Sequence, residues 1–341
     1  MYARSVSVIG WDVGGVNTKV ARVSGGDVLG VRSRPFEIQR DPHALVAVLR
    51  DLAAAVGAVP DDRHAVTMTA ELSQAFRTKR EGVAFVLDAV ETAFPGSAIS
   101  VFSTDGVFLD PAPAREQPLA VAAANWMATA MVVAGHHADA LLIDTGTTTT
   151  DIIPIVNGRV VAVGRTDPER LVAGELVYRG VLRTPADAMG VFVPMGKDVS
   201  RVSMEGFALA GDVFVWTGEL DPSDYTVQTP DGRPPTKEFA GERLARLVCA
   251  DREMLDEAGI SAIADSLARS LVSDIGIGIY QARMVHPSLN TAVVTGLGAF
   301  VAARAAVDQG LEVVHLSSQF GEAGARSAPA TAVALLLDRQ S

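Results

Sequence analysis

Two stretches of this sequence place a carboxylate, a glycine and small hydroxyl or amide residues at the same spacing. One is Leu141-Leu142-Ile143-Asp144-Thr145-Gly146-Thr147-Thr148-Thr149-Thr150-Asp151-Ile152. Apolar residues run into Asp144, a glycine and a threonine run follow, and the chain turns apolar again after Asp151, a pattern of strand, tight turn, strand. The turn carries no bulky side chain, so backbone N–H groups and hydroxyls can face an anion while carboxylates hold a cation. Taken alone, this is either a polyphosphate cradle or a Thr-rich surface hairpin. The second stretch is Val8-Ile9-Gly10-Trp11-Asp12-Val13-Gly14-Gly15-Val16-Asn17-Thr18-Lys19. Laid over the first, Asp12 falls on Asp144, Gly14 on Gly146, Asn17 on Thr149 and Thr18 on Thr150. A repeat of this kind points to two related halves that close on one ligand.

Asp12 and Asp144 are candidates to hold a magnesium ion, through water, beside phosphate oxygens; the competing role is turn capping, common for Asp near Gly. Gly14, Gly15 and Gly146 allow close backbone approach. Asn17, Thr18, Thr147, Thr148 and Thr149 offer donors to phosphate, and Lys19 is either a point charge on a phosphate or a solvated strand lysine. Asp151 is a candidate base or metal ligand, or a strand-edge charge. Glu71 ends the short strand running into Thr69-Ala70-Glu71, where a carboxylate can be delivered to a site. Glu175, Arg179 and Arg183 form either a clamp for a carboxylate or phosphate or a surface ion pair. Adjacent helical residues point about 100° apart, so His136-His137 does not converge on one metal ion. Neither a Gly-x-Ser-x-Gly motif nor a Walker loop occurs.

The elements that must position these residues follow from periodicity and turns. Expected strands cover Ser5–Gly10, Thr18–Val23 and Val28–Ser33, the last two joined at Gly25-Gly26-Asp27. Pro42–Val56 and Arg80–Ala93 read as helices, Ala65–Thr69 and Ile99–Ser103 as strands, and Asp110-Pro111-Ala112-Pro113 as a loop. A helix over Leu119–Ala134 leads to a second strand–turn–strand–turn–strand series from Ala140 to Val163. Residues 165–251 are irregular and proline-interrupted, an expected substrate-shaping insertion. A long helix over Ile260–His286, a strand over Ala292–Thr295, a helix over Ala299–Val307, a strand over Val313–Leu316 and an apolar helix over Ala330–Leu337 complete the series. The expected division is 1–134 with 320–341, and 135–319.

With 341 residues, 48% hydrophobic and 20% charged, the chain has the composition of a globular protein of two domains. Its formal charge of −11 and lack of a Lys/Arg run argue against a nucleic-acid partner. The single Cys249 excludes an internal disulfide framework and reads as a small buried hydrophobe. No signal peptide is apparent, and the uncharged stretch Leu119–Ala138 is Ala-rich, a buried helix rather than a membrane span. These features indicate a cytoplasmic protein without a membrane partner.

The paired Asp-x-Gly hairpins resemble those of the actin, sugar kinase and heat-shock-ATPase superfamily. Val293-Val294-Thr295-Gly296-Leu297-Gly298-Ala299 is similar to that superfamily's nucleotide-base loop, which adds Gly296 and Gly298 to the candidate residues. Gly10 to Lys19, Thr69-Ala70-Glu71-Leu72, Asp144 to Asp151, Gly174-Glu175-Leu176 and Arg183-Thr184-Pro185 resemble the hydantoinase/oxoprolinase-like branch. Within it the likeness is to the methanofuran-type cofactor biosynthesis proteins found with tetrahydromethanopterin-linked one-carbon genes. The resemblance implies an α/β fold of two ribonuclease-H-like halves around a central cleft, with an insertion in the second. It also implies a magnesium-dependent condensation of an aminomethylfuran-methyl diphosphate with a phenolic tyramine- or tyrosine-type partner, releasing diphosphate. The same fold admits an ATP-dependent kinase, a hydantoinase/oxoprolinase-like amidohydrolase or a nucleotide switch.

Overall fold

The computed structural model describes residues 6–340. Strands β1 (Val8–Val13), β2 (Asn17–Ser24) and β3 (Asp27–Pro35) come first, then helix α1 (Leu45–Ala55), β4 (Arg63–Met68), α2 (Lys79–Ala93), β5 (Ile99–Phe102) and β6 (Phe108–Leu109). Helices α3 (Pro111–Glu116), α4 (Pro118–Val121) and α5 (Asn125–Ala134) lead to β7 (Ala140–Thr145), β8 (Thr150–Val156) and β9 (Arg159–Val160). Next come α6 (Asp167–Ala173), β10 (Leu176–Val177), β11 (Phe192–Met195), β12 (Asp198–Arg201), α7 (Ala210–Thr217) and α8 (Lys237–Arg246). The series ends with α9 (Glu257–Val285), β13 (Thr291–Thr295), α10 (Ala299–Asp308), β14 (Glu312–His315), α11 (Ser317–Arg326) and α12 (Ala328–Asp338).

Contacts group the chain into two units. One is the described part of Met1–Leu142, Ile153–Ala173 and Val314–Ser341; the other is Ile143–Ile152 and Gly174–Val313. The first sheet has the strand order β3-β2-β1-β4-β5-β6 and the second β10-β8-β7-β13-β14, with β9 also on β8. In both, a hairpin is followed outward, on the side of its first strand, by later strands: β4, β5 and β6 in the first sheet and β13 and β14 in the second.

In the first unit the pleat of β1 separates two kinds of residue. Ile9, Trp11 and Val13 join Val66, Met68 and the apolar faces of α1 and α2 in one core. Gly10 lies on the other face, in register with Ala21 of β2 and Ala65 of β4. These small residues admit α12: a Cβ on Gly10 would stand 2.0 Å from the Ala330 carbonyl oxygen. The apolar helix expected near the C-terminus therefore does pack on the first sheet. Gly25 and Gly26, both at positive φ, make the two-residue loop between β2 and β3.

Several expectations are corrected. The first strand is Val8–Val13, further along the chain than Ser5–Gly10, so Asp12 lies within it; Ser5 is outside the described residues. The Pro111–Pro113 loop is the first turn of a helix, where the missing proline N–H costs nothing. The single helix over Leu119–Ala134 is interrupted: Ala123 adopts φ 49° and its N–H donates to the Met68 carbonyl at 3.1 Å, continuing β4 before α5 begins. Cys249 is exposed, because it forms a left-handed turn (φ 56°) after α8. Residues 165–251 hold short elements, the first of which, α6, belongs to the first unit. The fully buried Arg170 of α6 lies over the Trp126 ring at 4.4 Å, which anchors it there.

In the second unit α9 is the central support. Asp256 caps it, accepting from the Gly259 N–H at 2.8 Å. Ile260, Ile263, Ala264, Leu267 and Leu271 lie on one side at helical spacing and are buried. Gly278 leaves room for Ile152 of β8 and Val177 of β10; a Cβ there would stand 2.6 Å from Ile152 Cδ1.

Candidate functional site

The two hairpins close with the same hydrogen bond. The Gly14 N–H donates to the Asn17 carbonyl at 3.0 Å, and the Gly146 N–H donates to the Thr149 carbonyl at 2.8 Å. The turn carbonyls are also held alike. In the first unit Ile38 N–H donates to Gly15 at 3.1 Å and Phe36 N–H to Val16 at 2.9 Å. In the second, Val181 N–H donates to Gly146 at 3.0 Å, and Leu182 and Arg183 N–H donate to Thr147 at 3.2 and 2.9 Å. The N–H groups at the tips, Gly15 and Val16 in one turn and Thr147 and Thr148 in the other, donate to no oxygen among the described residues. Tight turns with carbonyls tied back and N–H groups available suit an anion.

In the first unit Asp12 is buried near the end of β1, in register with Lys19 of β2 and Thr67 of β4. Residues in register share a face, and Lys19 Nζ stands 4.0 Å from Asp12 Oδ2. Lys19 is thus a partner of the aspartate on its own hairpin. Thr18 is opposite Val13, on the core face, and fully buried; the structure does not bring its hydroxyl to the turn tip. Asn17, Gly14 and Gly15 are half-buried at the turn.

In the second unit Asp144 and Thr145 end β7, and Thr147, Thr148 and Thr149 are half-buried in the turn. The position matching Lys19 in the repeat is Asp151, buried in β8 and opposite Leu176 of β10. Gly296 and Gly298 press on the end of β7. Gly298 N–H donates to the Thr145 carbonyl at 2.8 Å, and a Cβ on Gly296 (φ 88°) would stand 2.3 Å from that oxygen and 2.4 Å from Asp144 Oδ1. Close packing on the strand end is sufficient reason for both glycines. Gly180 fits as closely against the Thr147-Thr148 peptide, 2.4 Å from Thr148 N for an added Cβ.

Glu71 sits in a 3-10 turn, Ala70–Leu72, just beyond β4. That turn follows because Thr69 N–H still donates to Val13 at 3.0 Å, after which the chain leaves the sheet. Its side chain is wholly buried against α2, where Gly82 allows contact with the Glu71 backbone. Lys79 Nζ of α2 stands 3.5 Å from Glu71 Oε1 and 2.7 Å from Asp167 Oδ2 of α6. Burial pushes the Glu71 carboxyl up to about 7, against the pull of Lys79. Burial acts against the Lys79 charge too, but its hydrogen bond to Asp167 and the charge of Glu71 outweigh it and hold the ammonium above its ordinary value. A carboxylate that titrates near neutrality suits a general base. Lys79 and Asp167 were not singled out by sequence reasoning: 88 residues separate them, and no local pattern links them.

The Glu175, Arg179 and Arg183 group does not converge on one point through its guanidinium groups. Arg179 donates to Asp274 at 2.9 Å and to the Ala188 carbonyl at 3.0 Å, Arg183 is exposed, and Glu175 is buried. Of the histidines, His64 is a packing residue: it accepts from Trp11 Nε1 at 3.0 Å, stacks on Phe94 and is lowered to about 4 by burial. His137 Nε2 is 2.8 Å from Gln319 Nε2. Among the described residues no three His, Cys, Asp or Glu side chains gather as a metal cage, and no helix is long and apolar enough to cross a membrane.

Comparison with known proteins agrees with this architecture. The nucleotide-free acetone carboxylase superposes with a TM-score of 0.60 at 13% identity, covering 97% of this chain and 70% of that one. Component A of (R)-2-hydroxyglutaryl-CoA dehydratase from Acidaminococcus fermentans superposes with a TM-score of 0.51 at 12% identity, covering 98% and 99%. At such identities the likeness concerns the fold alone. A protein of Methanocaldococcus jannaschii, the (4-{4-[2-(gamma-L-glutamylamino)ethyl]phenoxymethyl}furan-2-yl)methanamine synthase, is 34% identical over 336 residues, 98% of both chains. The hydantoinase/oxoprolinase family model matches residues 62–340. The chain therefore belongs to the hydantoinase/oxoprolinase family, and within it groups with this furan-methanamine synthase.

Proposed function

We propose that this protein is a cofactor-biosynthesis synthase of the methanofuran type, which joins an aminomethylfuran-methyl diphosphate to a phenol of a tyramine- or tyrosine-type partner. The observation that carries the reading is the 34% identity along nearly the whole of both chains to a synthase whose product name contains a phenoxymethyl-furan ether. In the reaction the bond between the furan-methyl carbon and the diphosphate oxygen breaks, and its electron pair leaves with diphosphate. The phenol oxygen forms the new C–O bond, and its proton passes to a base.

Glu71 is the base: it is a buried carboxylate with a value of about 7, half ionised near neutrality. The N–H groups of the hairpin turns and the hydroxyls of Thr147, Thr148 and Thr149 receive phosphate oxygens, and this stabilisation of the leaving group is the largest contribution. Asp12 in the first unit and Asp144 in the second are each candidates to hold magnesium. That ion commonly takes only one or two protein carboxylates, with water and phosphate completing its shell, and strand-end aspartates beside N–H-bearing turns fit such binding. Magnesium, when bound, supplies counter-charge for the departing diphosphate. Asp151 is a second candidate base, and Glu175, Arg179 and Arg183 are candidates to contact substrate.

The test is diphosphate release from the furan substrate, with and without the phenol, ATP and a chelator. The expected result is stoichiometric diphosphate with ether product, no need for ATP and loss of turnover on chelation. An absolute need for ATP, with ADP or inorganic phosphate as product, would replace this reading with a kinase or amidohydrolase. Because the base must be ionised, kcat/KM should rise as pH passes upward through about 7 and be nearly flat above it. Glu71→Gln should lower turnover by about 10²–10⁴-fold while diphosphate binding is retained.

A further inference from the structure

The Glu71 side chain is wholly buried, and neither of its oxygens has a hydrogen bond among the described residues. Its nearest cation is shared, and shared unequally. Lys79 Nζ is 2.7 Å from Asp167 Oδ2 but 3.5 Å from Glu71 Oε1, so the hydrogen bond is made to the aspartate and only an ion pair to the glutamate. Lys79 from α2 and Asp167 from α6 are the charged groups that act on Glu71.

We propose that Lys79 and Asp167 are opposed positioning residues: Lys79 holds Glu71 in its charged, proton-accepting form, and Asp167 draws Lys79 away and restores the carboxylate's hold on a proton. The assignment of a purpose rests on Glu71 being the base in the synthase reaction. Its physical content does not. In a buried setting a carboxylate with no counter-charge stays protonated at neutral pH and takes no proton from a phenol. Fully paired with a lysine, it stays ionised but becomes a weak base. Sharing Lys79 between a wholly buried and a partly buried carboxylate sets Glu71 between these limits.

The position of Asp167 is built for this. It starts α6, whose Arg170 is stacked on Trp126, and Arg165 just before it donates to the Thr104 carbonyl at 3.2 Å. Asp167 is therefore held by its own anchors and does not depend on Lys79 for its place. A lysine whose only task was to neutralise Glu71 would not need a second carboxylate at closer range.

The decisive feature is the opposite sign of two substitutions. Lys79→Met should move the acid limb of the kcat/KM profile to higher pH by at least about one pH unit, a loss of about fivefold or more at neutral pH that is regained at higher pH. Asp167→Asn should move it to lower pH, because it removes a negative neighbour and frees Lys79 for Glu71. Lys79→Arg should keep the limb near its original place. A second readout needs no turnover: titration of the Glu71 carboxyl carbon by NMR in protein labelled at glutamate carboxyls, assigned by its loss in Glu71→Gln. Shifts of opposite direction in the Lys79→Met and Asp167→Asn proteins support the proposal. Shifts in the same direction, or none, overturn it. Opposite NMR shifts in a protein that releases no diphosphate from the furan substrate leave this arrangement standing and overturn the synthase reading instead.

Discussion

The two hairpins share a backbone and differ in charge. Both close with a glycine N–H on the carbonyl three residues on, and both place an aspartate near the end of the first strand. In the first hairpin the opposite strand carries Lys19, 4.0 Å from Asp12. In the second the matching position is Asp151, so Asp144 to Asp151 carries two carboxylates and no cation of its own. The backbone repeat thus sets where an anion can be received, and the side chains decide what else must come with it. The first hairpin brings a lysine beside its magnesium candidate Asp12; the second places another carboxylate at the matching position, near its magnesium candidate Asp144.

Among the hairpin substitutions the largest expected effect is at Asp144. Asp144→Asn should lower turnover by about 10²–10³-fold and raise the magnesium concentration needed for half-maximal rate, with melting temperature little changed. An unchanged magnesium requirement would break the distinction between the hairpins. The second test concerns shape. A Cβ on Gly14 would stand 2.6 Å from the Asn17 carbonyl oxygen, whereas one on Gly146 would be 3.6 Å from that of Thr149. Gly14→Ala should therefore cost about 1–3 kcal/mol of stability, and Gly146→Ala should change it by less than about 1 kcal/mol in either direction. Denaturant titration measures both, and equal losses would mean that the two turns are as alike in packing as in hydrogen bonding. The smallest effect is at Lys19. Lys19→Met should weaken diphosphate binding by about fivefold to tenfold, the scale of one partly screened charge, and move the magnesium midpoint less than Asp144→Asn does. A shift of that midpoint equal to the one from Asp144→Asn would make the hairpins electrostatically equivalent.

The hairpins were legible because their information is local: strand, Asp, Gly, small polar turn and strand lie in consecutive residues. The long α9 and the Ala-rich α12 were legible for the same reason, as one apolar face repeats at helical spacing. What was not legible depended on distant partners. Ala123 breaks a run of good helix formers because Met68 offers a carbonyl at the end of a strand. Cys249 has apolar neighbours in sequence yet turns outward after α8. At the candidate site Glu71 could be picked out from its place after a strand, but its proton affinity is set by Lys79 and Asp167. The irregular sequence around Asp167 read as the start of an insertion, whereas its structure ties it to the first unit through Arg170 and Trp126.

The packing of α12 on Gly10 bears on how the protein is made. The strand that carries Asp12 leaves the ribosome ahead of the helix that covers its small-residue face, which is encoded some three hundred residues later. At about 5–20 residues per second, that face waits roughly fifteen seconds to a minute for its cover. The segment between includes nearly all of the second unit, which can gather its own core around α9 in the meantime. The order of synthesis thus favours completion of the second unit first, and makes the first hairpin's surroundings the late step of folding although its sequence comes early.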